Sequence, residues 1–268
     1  MKKVLVIGKN SFMAKAFISH NRGRFECTAI SHDEEIGSQA LEEFSCILNM
    51  AYDPGYFREP YSAKLDFDLQ VARKVAGKGP HFFMMSSRKV YGTGAPFPTS
   101  EGAPVAPTDQ YGNNKAVTEQ AVRTLLGPKC TVLRIANVFG FELGRHTFFG
   151  IALSNLIRER RIVLDVSPFT RRDFLSVEGF AEMLGRTVEV SPPDTFNMGS
   201  GKAYPIGQIA LWLIEGFGGG ELVVNATAER DSFLLDTTKL NEIIGYDDIH
   251  DEDMRARCVE IGRRLKNA

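Results

Sequence analysis

The chain has 268 residues, is 43% hydrophobic and 24% charged, and carries a formal net charge of −1, which describes a globular protein able to build one large core and a small lobe. Lysines and arginines are scattered rather than striped, so neither nucleic acid nor an anionic membrane is an expected partner. Cys27, Cys46, Cys130 and Cys258 are widely spaced, and the first three sit in apolar strand-like runs, so reduced core thiols are expected rather than disulfides, and no zinc or other metal site. The N-terminus enters a strand without a signal-peptide pattern, which makes a cytoplasmic protein the expectation.

Lys3 to Ile7 is an apolar run that reads as a strand, Gly8-Lys9-Asn10-Ser11 as a turn, and Phe12 to Ser19 as the start of a helix. In a dinucleotide-binding opening of this kind, small residues let the backbone approach a pyrophosphate and the helix N-terminus stabilises its charge. The pattern here is Gly8-x-x-Ser11-x-x-Ala14, with small residues in place of two glycines. Phe25 to Ile30 is a second strand, after which an acidic residue would accept from an adenosine ribose and repel a 2′-phosphate. Ser31 and His32 stand there instead and, with Lys9, can donate to a phosphate. NADP(H) is therefore favoured, and Asp33 keeps NAD(H) possible.

Cys46 to Met50 is the third strand, ending at Asn49-Met50-Ala51; Lys64 to Ala76 is a helix, His81 to Met85 a buried strand, Gln110 to Leu126 a helix, and Thr131 to Ile135 a fifth strand. This alternation predicts an α/β fold with a doubly wound parallel sheet. After Gly140 the rhythm changes. Thr147 to Arg160 reads as a helix, Ile162 to Val166 as a short strand, Arg171 to Val177 as an exposed-to-buried transition, and Glu178 to Val188 as a helix. An amphipathic helix from Ile206 to Phe217, a glycine turn at 218–220, a strand from Leu222 to Val224 and helices near Thr237 and Asp251 complete the chain. The expected division is a cofactor-binding domain at 1–140 plus about 172–190, and a smaller C-terminal α/β lobe for substrate at about 141–171 and 191–268.

The chemistry concentrates between Pro80 and Lys115. The buried strand ends at Ser86-Ser87-Arg88-Lys89-Val90-Tyr91-Gly92, and a Pro/Gly-rich loop leads to Tyr111-Gly112-Asn113-Asn114-Lys115. Ligands of open parallel sheets collect beyond the carboxyl ends of the strands, so Ser87 can meet a helix-borne tyrosine and lysine there. On one helix face, Tyr111 and Lys115 are about 5 to 6 Å apart at Cβ. An ammonium about 5 Å from a phenol, at an effective dielectric near 20, favours the phenolate by roughly 3 kcal/mol, or about two pKa units. Tyr111 then approaches the range of a general acid/base, while the Ser87 hydroxyl can donate to the same substrate oxygen and hold it in line for hydride transfer.

These motifs, taken in order, resemble an extended short-chain dehydrogenase/reductase of the NAD-dependent epimerase/dehydratase family, whose members mostly act on nucleotide sugars. Beyond the glycine turn and Tyr111-x-x-x-Lys115, the resemblance rests on Ser86-Ser87-x-x-Val90-Tyr91-Gly92, Arg134-x-x-Asn137-Val138-Phe139-Gly140, Arg172-Asp173-Phe174-x-x-Val177, Asn197-x-Gly199-Ser200-Gly201 and Leu235-Asp236-Thr237-Thr238-Lys239-Leu240. It implies a Rossmann sheet, and Ser87, Tyr111 and Lys115 as the catalytic triad. It implies a cofactor cradle of Gly8, Lys9, Asn10, Ser11, Phe12, Met13, Ser31, His32, Asn49, Met50, Ala51 and Ser86, with Tyr111 and Lys115 at the nicotinamide ribose. It implies Arg88, Asn137, His146, Arg172 and Arg230 toward a nucleotide-sugar substrate, where a planar guanidinium suits phosphate oxygens. It further implies a homodimer in which the Gln110 to Leu126 and Lys64 to Ala76 helices pair across a two-fold axis.

Departures from the family pattern narrow the reaction. Dehydratases place Asp-Glu directly after the catalytic hydroxyl, and fucose-forming epimerase-reductases place a cysteine there; this chain has Arg88-Lys89, which cannot serve as that acid pair. What remains is a 4-keto-sugar reductase or an NAD-dependent 4-epimerase, the shorter chain and the missing acidic ribose ligand favouring the reductase. A non-catalytic NAD(P)-binding regulator is the alternative of another class, and retention of both Tyr111 and Lys115 speaks against it.

Overall fold

A computed structural model describes residues 1–34, 41–246 and 254–268. In chain order the elements are β1 (Lys2–Ile7), α1 (Phe12–His20), β2 (Phe25–Ile30), β3 (Cys46–Asn49), α2 (Phe67–Val75), β4 (His81–Ser87), α3 (Gln110–Leu126), β5 (Cys130–Ile135) and β6 (Asn137–Phe139). They continue with α4 (Phe148–Glu159), β7 (Arg161–Leu164), β8 (Arg171–Ser176), α5 (Val177–Val190), β9 (Thr195–Met198), β10 (Ala203–Pro205), α6 (Ile206–Phe217), β11 (Glu221–Val224), α7 (Thr238–Ile244) and α8 (Met254–Lys266). Asp251, near which a helix was expected, lies outside the described residues.

The main sheet has the order β2-β1-β3-β4-β5-β9 with every pair parallel, so the expected doubly wound Rossmann architecture is present. Both faces are covered, as the near-continuous apolar runs of β1, β4 and β5 require. Val4, Val6, Leu48, Phe83 and Leu133 pack on one face with Phe17 of α1 and Phe180 and Leu184 of α5. Ile47, Phe82, Met84 and Val132 pack on the other face with Val71 and Val75 of α2 and Val122 of α3. A second core, from Phe149 and Leu153 of α4, Ile209 and Leu213 of α6, and Cys258 and Ile261 of α8, forms the lobe. Cys46, Cys130 and Cys258 are buried and Cys27 half-buried, all as free thiols.

Several boundaries differ from expectation for identifiable reasons. β4 continues past Met85 because Ser86 and Ser87 stay in register with Arg134 and Ile135 of β5; the ladder is indifferent to side-chain polarity. α2 begins at Phe67 rather than Lys64 because the Asp66 carboxylate accepts from the Leu69 amide at 3.0 Å and caps the helix there. Thr195–Met198, grouped by sequence with the lobe, is the sixth strand of the main sheet, since Val132 to Ile135 would otherwise present an open edge. Residues 171–176, whose backbone partners were not foreseen, form β8, which runs parallel to β6 and antiparallel to β10 in a separate three-stranded sheet.

A C-terminal segment, Asp231 to Asp236, laces these parts together. Phe233 exchanges backbone hydrogen bonds with Arg171 and Asp173 of β8 at 2.9 and 3.1 Å. Leu234 accepts from the Thr99 amide and Asp236 donates to the Thr99 carbonyl, both at 2.8 Å.

Candidate active site

Strand order reverses beside β1, and the first turn lies at this switch point. Gly8 has φ +92°, and a Cβ on it would stand 2.9 Å from the Met50 carbonyl carbon and the Ala51 amide, so glycine is required for the turn to close against the end of β3. Ser11 caps α1, its hydroxyl accepting from the Ala14 amide at 3.1 Å, with Asn10 exposed before it. Phe12 fills the space left by the absent side chain of Gly140, and Met13 packs on the sheet core. A glycine cradle closed against β3 and a capped helix N-terminus suit a dinucleotide pyrophosphate.

At the end of β2, Ser31 is half-buried and His32 is exposed, its ring edge-on to Phe67. The Lys9 ammonium, expected to face a phosphate, is instead paired with Glu34, whose Oε1 also accepts from the Ser31 amide at 3.0 Å. Lys9 and the Ser31 amide hold the Glu34 carboxyl below the ordinary glutamate range. Glu34 is an acidic group folded back to the end of β2 that sequence reading missed, because it comes four residues after the strand.

The second half of the site lies at the ends of β4 and β5. Ser87 is half-buried, and its Oγ accepts from the Lys89 amide at 3.2 Å, capping the short 3-10 turn Arg88–Tyr91. That turn packs directly on the first turn of α3: a Cβ on Gly112 would come 2.4 Å from the Lys89 carbonyl oxygen. The bare backbone of Gly112, beside Tyr111, is therefore what brings the Ser87 turn and the tyrosine helix together. Asp109 fixes the start of α3, its carboxylate accepting from the Gly112 amide at 2.8 Å and pairing with Lys89, also at 2.8 Å. Ser86, expected at the cofactor, donates its hydroxyl to buried Glu119, which is forked onto Arg134; that side chain is committed to the core.

Tyr111 and Lys115 share one face of α3, with Lys115 Nζ 6.0 Å from the tyrosine ring centroid. Phe57 stacks on the Tyr111 ring at 4.3 Å between centroids, and Tyr56 meets it edge-on at 6.2 Å. The lysine is not the lone cation that the sequence suggested. Its Nζ lies 2.7 Å from Oδ2 of Asp68, a buried residue of α2, whose Oδ1 accepts from Asn49 Nδ2 at 2.6 Å. Burial alone would lower the Lys115 ammonium, but Asp68, Tyr111 and Tyr56 hold it well above the ordinary lysine range. Burial raises the Tyr111 phenol, and the pull of Lys115 toward the phenolate is opposed by Asp68. The sequence argument for a lowered phenol therefore fails, because it left out burial, the largest effect, as well as the counter-ion of the lysine. A signal was available: Asp68 falls on the same helical stripe as Val71, Ala72 and Val75, where an acid must have a buried partner.

The residues expected at the substrate divide. The buried Arg88 guanidinium forks onto Asp231 and lies 3.9 Å over the Phe233 ring; Lys89 and Arg172 approach the same carboxylate at 3.7 and 3.9 Å. Three cations thus face one carboxylate, and Arg172 Nε is buried without a hydrogen-bond partner among the described residues. Burial draws the Arg172 guanidinium below its ordinary value, Asp231 works against this and Arg88 adds to it. Such a donor surplus suits an anion. Asn137 opens β6 in register with Phe174, whereas His146 and Arg230 are exposed. Among the described residues no group of three His, Cys, Asp or Glu side chains is placed to hold a metal, and no helix is long and apolar enough to cross a membrane.

Solved structures share this fold. A UDP-glucose 4-epimerase of Thermotoga maritima with UDP-glucose is 22% identical, with a TM-score of 0.81 over 98% of this chain and 99% of that one. RMD from Pseudomonas aeruginosa complexed with NADPH is 17% identical, with a TM-score of 0.81 over 100% of both chains. TunA, an NAD-dependent NDP-hexosamine 5,6-dehydratase involved in tunicamycin biosynthesis, is 18% identical, with a TM-score of 0.80 over 98% of both. Comparison with curated protein sequences gave no match. The family model described as NAD dependent epimerase/dehydratase matches residues 52–199, from the segment that stacks on Tyr111 to the end of the last strand of the main sheet, and the chain belongs to that family.

Proposed function

We propose that the protein is an NAD(P)H-dependent reductase of a nucleotide-linked 4-keto sugar, with Ser87, Tyr111 and Lys115 as its acid-base centre. The observation that carries this reading is the setting of Arg88. The position that follows the Ser87 hydroxyl holds a guanidinium locked onto Asp231, so no carboxylic acid stands there to remove water from a sugar, and carbonyl reduction is the simplest chemistry left. Structural neighbours crystallised with UDP-glucose and with NADPH support the classes of substrate and cofactor.

Gly8, Ser11 and the first turn of α1 would hold the pyrophosphate of the dinucleotide, Ser31, His32 and Glu34 its adenosine ribose, and Lys115 its nicotinamide ribose. Bound there, the reduced cofactor supplies hydride to the carbonyl carbon. Ser87 donates to the carbonyl oxygen and orients it, and Tyr111 gives that oxygen its phenolic proton as the C=O bond becomes C–O–H; solvent then restores the proton. Arg172, with Arg88, exceeds the charge of Asp231 and holds the substrate diphosphate. The Lys9–Glu34 pair leaves no net positive charge for a 2′-phosphate, so NADP(H) gains no advantage over NAD(H) there.

The purified protein should consume NADPH in the presence of a nucleotide-linked 4-keto-6-deoxy sugar. Tyr111→Phe should lower kcat by about 10²- to 10⁴-fold while leaving cofactor affinity unchanged. Tight cofactor binding with no turnover on a panel of such ketones would refute the reading. A second reading, 4-epimerisation with retained NAD, draws on Glu34 as a ribose acceptor; interconversion of two UDP-hexoses without net cofactor oxidation would establish it.

A further inference from the structure

Lys115 is joined to two elements besides its own helix through a single acid. Asp68 of α2 gives one carboxylate oxygen to Lys115 Nζ at 2.7 Å and the other to Asn49 at the end of β3 at 2.6 Å. Asn49 is itself fixed, its amide group exchanging 3.2 Å hydrogen bonds with the backbone of Ala51, next to the Gly8 turn. A pair buried this deeply adds little to stability, since well-packed apolar residues in its place are often as stable or more so. Its position therefore calls for a role at the neighbouring phenol.

We propose that Asp68 is a positioning residue that holds Lys115 in place and offsets part of its pull on the buried Tyr111 phenol, so that the phenol ionises less readily and the site works as a proton donor. The direction of reaction it favours rests on the reductase reading above; the charge pairing itself does not. The other groups facing Tyr111 do not supply this control. Asp109, at the cap of α3, is neutralised by Lys89 of the 3-10 turn at 2.8 Å, while Tyr52, Tyr56 and Phe57 from the 52–57 segment bring rings. Asp66 at the cap of α2 accepts from Thr118 and Tyr61, at 2.7 and 2.9 Å, and lies one shell further from the phenol. Of these, only Asp68 pairs with the ammonium whose charge would otherwise draw the phenol toward ionisation.

The test is a titration of Tyr111 in the cofactor-free protein, read as near-ultraviolet phenolate absorbance by difference against Tyr111→Phe. With a cation about 6 Å away and its counter-ion removed, Asp68→Asn should lower the Tyr111 midpoint by about one to two pH units. A folded Asp68→Asn protein whose midpoint is unchanged overturns the proposal. If that variant does not fold, the double variant Asp68→Asn/Lys115→Met, which removes both charges, decides. Its midpoint should stay within about one pH unit of the wild type, and a rise of about two, the full pull of an unopposed lysine, would overturn the proposal. The expected midpoints with no keto-sugar turnover would leave the pairing intact and refute the reductase reading alone.

Discussion

Gly112→Ala separates the geometry of the site from its stability. The substituted Cβ would stand 2.4 Å from the Lys89 carbonyl oxygen, and even the closest tolerated contacts are near 3.0 Å, so the Ser87 turn and α3 must part by about 0.6 Å. Misplacement of about 1 Å costs a well-oriented reaction on the order of 10²-fold, so a fall in kcat of about 10- to 100-fold is expected. Helix propensity works the other way, with alanine favoured over glycine by about 1 kcal/mol, against roughly 1 to 3 kcal/mol for the forced contact. Tm should therefore move by no more than several degrees. The assay pairs kcat for keto-sugar reduction with cofactor Kd by fluorescence, which should be unchanged because the Gly8 turn is untouched. A Gly112→Ala enzyme with kcat within threefold of wild type would refute the claim that this contact sets the distance between serine and tyrosine.

His81 gives a prediction that needs no substrate. Its Nε2 lies 2.7 Å from Thr131 Oγ1, whose proton goes to the Pro192 carbonyl at 2.6 Å, so the imidazole must donate there. Burial, with Lys129 and Lys2 nearby, lowers its pKa from 6.5 to about 4. The unfolded chain binds the extra proton in that window, so His81 contributes stability that is complete above pH 6.5 and falls by roughly 2 to 3 kcal/mol as the pH drops toward 4. Urea unfolding of His81→Gln should show a shallower loss across the same window, and an identical slope would exclude the histidine as the cause. Glu34→Gln should release Lys9 and raise the NADP(H)-to-NAD(H) affinity ratio about three- to tenfold at low salt, an effect that added salt should erase.

Much of the fold was legible because its strands are apolar runs and its helices have clear ends. The Gln110–Leu126 helix and the Phe25–Ile30 strand coincide with expectation, and the parallel pairing of the strands follows from their alternation with helices. β9 was not legible as part of the main sheet: Thr195–Met198 is four residues long, carries the polar Asn197, and owes its place to pairing with β5. At the site, motif spacing named Ser87, Tyr111 and Lys115 but not the groups that set their charge. Asp68, Glu34 and Asp231 reach their cations from 47, 25 and 143 residues away, and no local pattern announces a contact of that kind.

The segment from Asp231 to Asp236 has a consequence for synthesis. It supplies the carboxylate under Arg88 and the backbone that joins β8 to the loop at Thr99, from a point 143 residues downstream of that arginine. A nascent chain that has emerged only as far as α5 already contains the tyrosine and the lysine, yet Arg88 and Arg172 still lack the acid that both approach. A chain cut short of Asp231 therefore keeps Ser87, Tyr111 and Lys115 but leaves two guanidiniums without the carboxylate they share.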